Sequence, residues 1–136
     1  MSATVLHRQM GSTQLWAGRI ISSLVILFLV FDSVIKLMQI EPVKASFAGL
    51  GYPVTIAPVI GIIEAICVVL YVIPRTAILG AVLLTGLLGG AIASHLRLGD
   101  PMFTHVLFGV YVGVLAWAAL WLRDASLRSL LPWRRM

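Results

Sequence analysis

The feature that most constrains the fold is an uncharged apolar stretch from Ala77 to Ser94, enclosed between Pro74 and Pro101. About 20 apolar residues are enough for a helix to cross the hydrocarbon core of a bilayer. The stretch therefore predicts a membrane-spanning helix over residues 76–96, which ends in the polar sequence HLRLGDP.

Small residues on this helix predict contact with other helices. Gly86 and Gly90 are four residues apart, and Gly109 and Gly113 repeat that spacing in a later apolar stretch. Small residues at this spacing allow two helix backbones to approach closely in a membrane. We therefore expect helix 76–96 to be central in a small bundle. A homo-oligomer formed through the same faces is an open alternative.

Composition excludes most other protein classes. The 136 residues are 60% hydrophobic and 11% charged, which is typical of an integral membrane protein and not of a soluble domain. The net charge of +5 suits an anionic membrane surface, and we expect no nucleic-acid partner. The single cysteine, Cys67, excludes an intrachain disulfide and a thiolate metal cluster, so we expect a core residue.

Three further apolar stretches complete the predicted architecture. Because the first is too long for a cleaved signal peptide, we expect the chain to retain it. We predict an all-α, integral membrane four-helix bundle in residues 16–122, with a connection over residues 40–53 that contains the turn-forming sequence GLGYP. The other three predicted spans are 16–39, 54–73 and 102–122.

Lysine and arginine positions predict the orientation. Four spans place residues 1–15, an N-terminal tail, on the same side as residues 123–136, a basic C-terminal tail suited to the membrane surface. That side carries seven of the ten basic residues, which predicts cytoplasmic termini. The seven are Arg8, Arg19, Arg75, Arg123, Arg128, Arg134 and Arg135, against Lys36, Lys44 and Arg97 on the other side.

Polar residues concentrate in the predicted outer half of the bundle. Asp32 and Lys36 are four residues apart on the first span, so they share one face and can pair. Glu64 lies near the middle of the second span, on the side of the small residues Ala57 and Gly61, and should point into the bundle. The other candidate ligand-binding or proton-handling residues are His95, Arg97 and His105.

Each candidate also has a structural interpretation. Asp32 and Lys36 can simply neutralise each other, and Glu64 can form a purely structural hydrogen bond. The two histidines can serve as proton relays or as ordinary interface residues, and Arg97 with Asp100 can neutralise a helix end. We predict no metal site, because no pair of candidates has the close spacing of a metal-binding motif on one helix. No motif predicts catalytic residues in this chain.

Several motifs resemble the DoxX-like family of small four-helix bacterial membrane proteins. The resemblance covers about residues 16–132, and its most specific part is the stretch from PRTA to GGAIASHLRLGDP. It implies a multi-pass protein of the bacterial inner membrane, and it carries Lys36, Glu64, His95, Arg97, Asp100 and Pro101 as motif positions. The other matching segments are FDSVIKL, GLGYP, GIIEAICVVLYVI and LRDASLRSLLP.

The resemblance implies an accessory role beside other proteins. Characterised relatives look like membrane subunits linked to quinone-dependent oxidation or oxidative stress, with membrane or periplasmic protein partners. We therefore expect a ligand-binding or accessory membrane subunit, with a polar pocket for a quinone or another small amphiphile, and no enzymatic activity of the chain alone. The alternatives are permeation of a proton or small solute through an oligomer and a purely structural assembly factor.

Overall fold

The computed structural model describes residues 11–132, and it has four long apolar helices. The membrane helices are α1 (Ser12–Met38), α3 (Ala57–Val72), α4 (Ala77–Leu98) and α5 (Phe108–Arg123). A 3₁₀ turn (Val54–Ile56) precedes α3, and a π-helical turn (Met102–Val106) precedes α5. Two short helices, α2 (Glu41–Gly49) and α6 (Ala125–Leu130), lie outside the spans.

The four long helices form an antiparallel bundle. Helices α1 and α4 each pack against both α3 and α5. The chain changes direction at every connection, so the start of α1 and the end of α5 lie at one end of the bundle, the terminal end. Helix α2 lies at the opposite end, the α2 end. The predicted all-α four-helix architecture is confirmed.

In each of the four contacting helix pairs, the two helices approach each other closely at one buried glycine. A methyl group added at any of these glycines would lie 3.2 Å or less from a backbone atom of the neighbouring helix. Since backbone cannot move aside as a flexible side chain can, these contacts set how closely the helices pack. The glycines are Gly18 for α1–α5, Gly61 for α1–α3, Gly80 for α3–α4 and Gly109 for α4–α5.

The close contact predicted for Gly109 is confirmed, but Gly86 and Gly90 make no such contact within the described chain, and a contact there with a second copy stays a prediction. A methyl group at Gly86, Gly89 or Gly90 would meet no atom of the described chain within 4 Å. Helix α4 instead uses Gly80, one turn after its start, to pack against α3. The spacing of small residues identified the type of contact but not the face that makes it.

The terminal half of the bundle is filled by a tyrosine and an arginine. The Tyr71 side chain is fully buried, and its hydroxyl donates a hydrogen bond to the carbonyl of Ala116, at 2.7 Å. It therefore reaches from α3 across to α5. The Arg123 guanidinium lies 5.2 Å from the centre of the Tyr71 ring, within cation–π range. Together these side chains close the middle of the bundle at the terminal end.

Helix α2 lies within the segment that the sequence predicted as a connection. Glu41 and Pro42 occupy its first turn, where a carboxylate and a proline are both favourable. Val43 and Phe47 are four residues apart, and both are buried with Ala57 in a small apolar cluster. Burial of this face stabilises a helix too short to be stable alone.

Helix α6 docks the start of the predicted basic tail on the bundle. The Asp124 carboxylate caps it by accepting hydrogen bonds from the backbone N–H groups of Ser126, at 2.9 Å, and Leu127, at 3.2 Å. The Leu127 side chain is buried in the main core. The prediction that this tail lies along the membrane surface also involved Trp133, which is outside the described residues.

Candidate polar site at the α2 end

Two carboxylates share one lysine inside the bundle. The Lys36 ammonium donates a hydrogen bond to Glu64 Oε2, at 2.7 Å, and another to the Asp32 carboxylate. The Glu64 side chain is only 3% exposed, whereas Lys36 is 18% and Asp32 is 29% exposed. We call these three residues the acidic triad. The triad is buried on the α3 side and partly open on the α1 side.

Local packing explains why Glu64 reaches Lys36. Gly61 lies about one turn before Glu64, and a methyl group there would be 3.0 Å from Lys36 Cβ and from the Ser33 carbonyl oxygen. The absence of a side chain at Gly61 therefore lets α3 lie against α1 where Lys36 projects. Ala57, Gly61 and Glu64 are all buried, as expected for a face turned into the bundle.

The triad has two acidic groups but only one basic group. Two carboxylates and one ammonium leave a net charge of −1 when all three groups are ionised. Buried charges are costly unless they are paired, so the shared lysine stabilises both acids. Within residues 11–132, each carboxylate bonds to the ammonium through one oxygen, which leaves its second oxygen as an acceptor. The ammonium has three protons and uses two of them.

A second polar cluster lies where α4 ends. His95 Nδ1 is 2.6 Å from Asp100 Oδ2, and the His95 and His105 rings meet edge to face with their centres 5.7 Å apart. Gly99 ends the helix with a φ of +69°, which glycine adopts without steric cost, and this turn brings Asp100 back beside His95. His105 is exposed and also contacts the Thr104 hydroxyl, at 2.8 Å.

Arg97 belongs to neither cluster. Its guanidinium donates a hydrogen bond to the Leu50 carbonyl, at 2.6 Å, and so ties the end of α4 to the segment between α2 and α3. A second tie joins the Tyr52 hydroxyl to Ser94 Oγ, at 2.7 Å. Because Ser94 donates its proton to the Gly90 carbonyl, Tyr52 is the donor. The sequence predicted only a turn in this segment and did not indicate the hydrogen bond of Tyr52.

Comparison with known proteins identifies the family. The model of the DoxX-like family matches residues 20–119, which include the triad, both histidines and Arg97. The chain belongs to the DoxX-like family. With its four apolar helices, this DoxX-like chain is a multi-pass bacterial membrane protein. No curated protein and no solved structure matches it.

In this DoxX-like bundle, the exposure of α4 changes along its core face. Leu84 lies on the core face of α4 and is 1% exposed, whereas Ala91, two turns further along the same face, is exposed. Leu98, another two turns on, is 44% exposed. In the half of the bundle that also holds the triad, α4 is therefore exposed at Ala91 but buried at Ser94.

Five of the six candidate residues thus lie in two clusters, and Arg97 makes a separate contact. Asp32, Lys36 and Glu64 come together as a network, and His95 pairs with Asp100 near His105. Among the described residues, no hydrogen bond or ion pair joins the two clusters. Pairing of Asp32 with Lys36 followed from their spacing, but the inclusion of Glu64 depended on the packing of α3.

Proposed function

We propose that this DoxX-like protein is a non-catalytic membrane subunit that binds the polar headgroup of a small amphiphile at the acidic triad. The observation that carries the proposal is the near-complete burial of Glu64 in a hydrogen-bonded network with Lys36 inside a membrane span. Ionisable residues in membrane spans are costly and usually mark a ligand or ion site. A paired charge could serve stability alone, so the proposal also depends on the unused hydrogen-bonding groups of the triad.

A quinone has the chemistry that suits these groups. Its carbonyl oxygens would accept a hydrogen bond from the third N–H of Lys36, and the hydroxyl groups of its reduced form would donate hydrogen bonds to the second oxygens of Glu64 and Asp32. Its apolar tail suits a site within the bilayer. The bound quinone would supply the redox chemistry of a partner oxidoreductase, and the chain would hold and orient the headgroup.

The packing at the terminal end argues against permeation through a single copy of the chain. Ala91 on the core face of α4 is exposed, and it lies in the half of the bundle that holds the triad. At the terminal end, Tyr71 fills the middle of the bundle and Arg123 covers its ring. A path for a solute through a single copy would have to pass these side chains. Permeation would therefore require an oligomer.

Identification of co-purifying molecules tests this proposal. The protein is extracted gently from its native membrane, examined by native mass spectrometry, and extracted with organic solvent for identification of bound molecules. Glu64→Gln removes the buried carboxylate and keeps its size. Glu41→Gln is the matched control, because Glu41 also pairs with a lysine but is 85% exposed on α2.

We expect a quinone or related amphiphile at one copy per chain in the wild type and in Glu41→Gln, and its loss in Glu64→Gln. Thermal unfolding of each variant shows whether the fold is retained. Retention of the same molecule in folded Glu64→Gln, or bare protein in all three samples, would overturn the proposal and leave the triad as a structural network.

A further inference from the structure

A long apolar groove runs along the membrane-facing side of α4 and α5, away from the triad. Its volume is about 860 Å³, within the usual range of about 300–1,000 Å³ for ligand sites. Helix α6 and the residues after it line the groove at the terminal end. Residues that shape it include Gly89, Gly113, Trp117, Trp121, Leu131 and Pro132.

The walls of the groove offer almost no free polar group. Trp117 Nε1 donates a hydrogen bond to Thr85 Oγ1, at 2.7 Å, and Thr85 donates to the Ala81 carbonyl, also at 2.7 Å. Trp121 Nε1 donates to the Leu131 carbonyl, at 3.0 Å. Both indole groups are therefore satisfied within the protein, and the groove suits a hydrocarbon chain.

The length of the groove matches one leaflet of a bilayer. From Gly109 to Trp121 the groove follows twelve residues of α5, or about 18 Å of helix at 1.5 Å per residue. The hydrocarbon of one leaflet is about 15 Å deep, half of about 30 Å for the bilayer. A lipid chain that enters at the terminal end would thus be accommodated along its length.

One arginine lies beside that entrance. The Arg128 guanidinium lies 5.8 Å from the centre of the Trp121 ring, and Trp121 lines the groove. One of its nitrogens, Nη1, donates to Gln14 Oε1, at 2.8 Å, and other N–H groups remain for a ligand. Arg19, Arg75 and Arg123 lie at the same end of the described chain. Its one acidic residue at that end is Asp124, whose carboxylate caps α6.

We propose that the groove binds one acyl chain of an anionic phospholipid whose phosphate is held by Arg128. The guanidinium binds phosphate through two parallel N–H groups, and tryptophan is favourable at the depth of lipid headgroups. The positive charge of Arg128 favours an anionic over a zwitterionic headgroup. This site lies at the opposite end from the triad and does not depend on the proposed function.

The test compares matched variants in lipid of defined composition. Delipidated protein is reconstituted in nanodiscs of phosphatidylglycerol and phosphatidylcholine at equal amounts, and retained lipid is counted by native mass spectrometry. Gly89→Leu places a side chain in the groove. Gly86→Leu is its control, since both glycines are on α4 with open space around them but only Gly89 lines the groove.

A second pair of variants tests the headgroup. Arg128→Gln removes the cation at the groove, and Arg75→Gln removes one from the turn between α3 and α4, away from the groove. We expect Arg128→Gln to lower the preference for phosphatidylglycerol about fivefold and Arg75→Gln to leave it unchanged. Gly89→Leu should abolish retention of the lipid, while Gly86→Leu and the wild type keep one.

Several results would overturn the inference. These are equal retention of both lipids by the wild type, unchanged retention in Gly89→Leu, or a second copy of the chain in place of the lipid. A quinone found in the groove would also contradict it. Glu64→Gln, which changes the triad, should leave phosphatidylglycerol binding intact, so failure of the two proposals can be distinguished.

Discussion

The close approach of α3 and α4 makes Gly80 the most sensitive position for a small substitution. In Gly80→Ala the new methyl group would lie 2.7 Å from Tyr71 Cα and 2.8 Å from the Leu70 carbonyl carbon, and closer still to the Tyr71 nitrogen. All of these atoms belong to the backbone of α3. The clash can be relieved only if the two helices separate, which would loosen the packing around Tyr71.

The expected magnitude follows from two opposing effects. Overpacking a well-packed site costs about 1–3 kcal/mol, and contact with backbone places this site near 3 kcal/mol. Alanine favours a helix over glycine by about 1 kcal/mol. Gly80→Ala should therefore lower the free energy of unfolding by about 2 kcal/mol. In Gly86→Ala the new methyl group meets no atom within 4 Å, so the free energy of unfolding should rise by up to about 1 kcal/mol.

The single cysteine provides the assay. Cys67 is 3% exposed and lies on α3 one turn from Tyr71, so a thiol-reactive fluorescent dye reports the opening of this core on heating. A difference of about 3 kcal/mol between the variants corresponds to about 10 °C in the midpoint of unfolding, at about 3 °C per kcal/mol for a chain of this size. Equal midpoints for Gly80→Ala and Gly86→Ala would refute the assignment of Gly80 as the contact.

Two further substitutions test the polar interactions by the same assay. Lys36→Met should lower the free energy of unfolding by about 3 kcal/mol, because it leaves the buried Glu64 without its cation. Lys44→Met should lower it by less than about 1 kcal/mol, since the pair of Lys44 with Glu41 is exposed. Similar losses of stability in both variants would contradict a special role for the triad. Tyr71→Phe should cost about 1–2 kcal/mol by removing a buried hydrogen bond, and Tyr111→Phe, whose bond is exposed, should change stability little. An unfolding midpoint unchanged by Tyr71→Phe would argue against the bond to Ala116.

The spans were predictable because they depend on local composition. A helix that crosses a membrane needs only a sufficient length of apolar residues, and each predicted span overlaps one long apolar segment of the structure. These segments are Ser12–Met38, Val54–Val72, Ala77–Leu98 and Met102–Arg123. Pairing of Asp32 with Lys36 was also predictable, because it depends on helical spacing alone. The orientation of the four spans relative to the two membrane surfaces stays a prediction from the distribution of arginine and lysine.

Several features of the candidate site could not be predicted in this way. The pairing of His95 with Asp100 was not predicted, because it depends on the turn at Gly99 that brings this carboxylate back to the histidine. Helix α2 was missed because its apolar face is only two residues long and is stabilised by Ala57 of another helix. Both outcomes depend on neighbours that are not adjacent in sequence.

The sequence by itself determined that this chain is a membrane protein with four helices, since hydropathy acts over short segments and needs no partner. The tertiary structure decided which glycines meet a neighbouring backbone, which lysine Glu64 reaches, and where the groove along α4 and α5 opens. Gly80 and Gly86 illustrate the difference. They have similar apolar surroundings in the sequence, but only Gly80 faces α3, because the rotation of a helix about its axis is set by the packing of all its neighbours together.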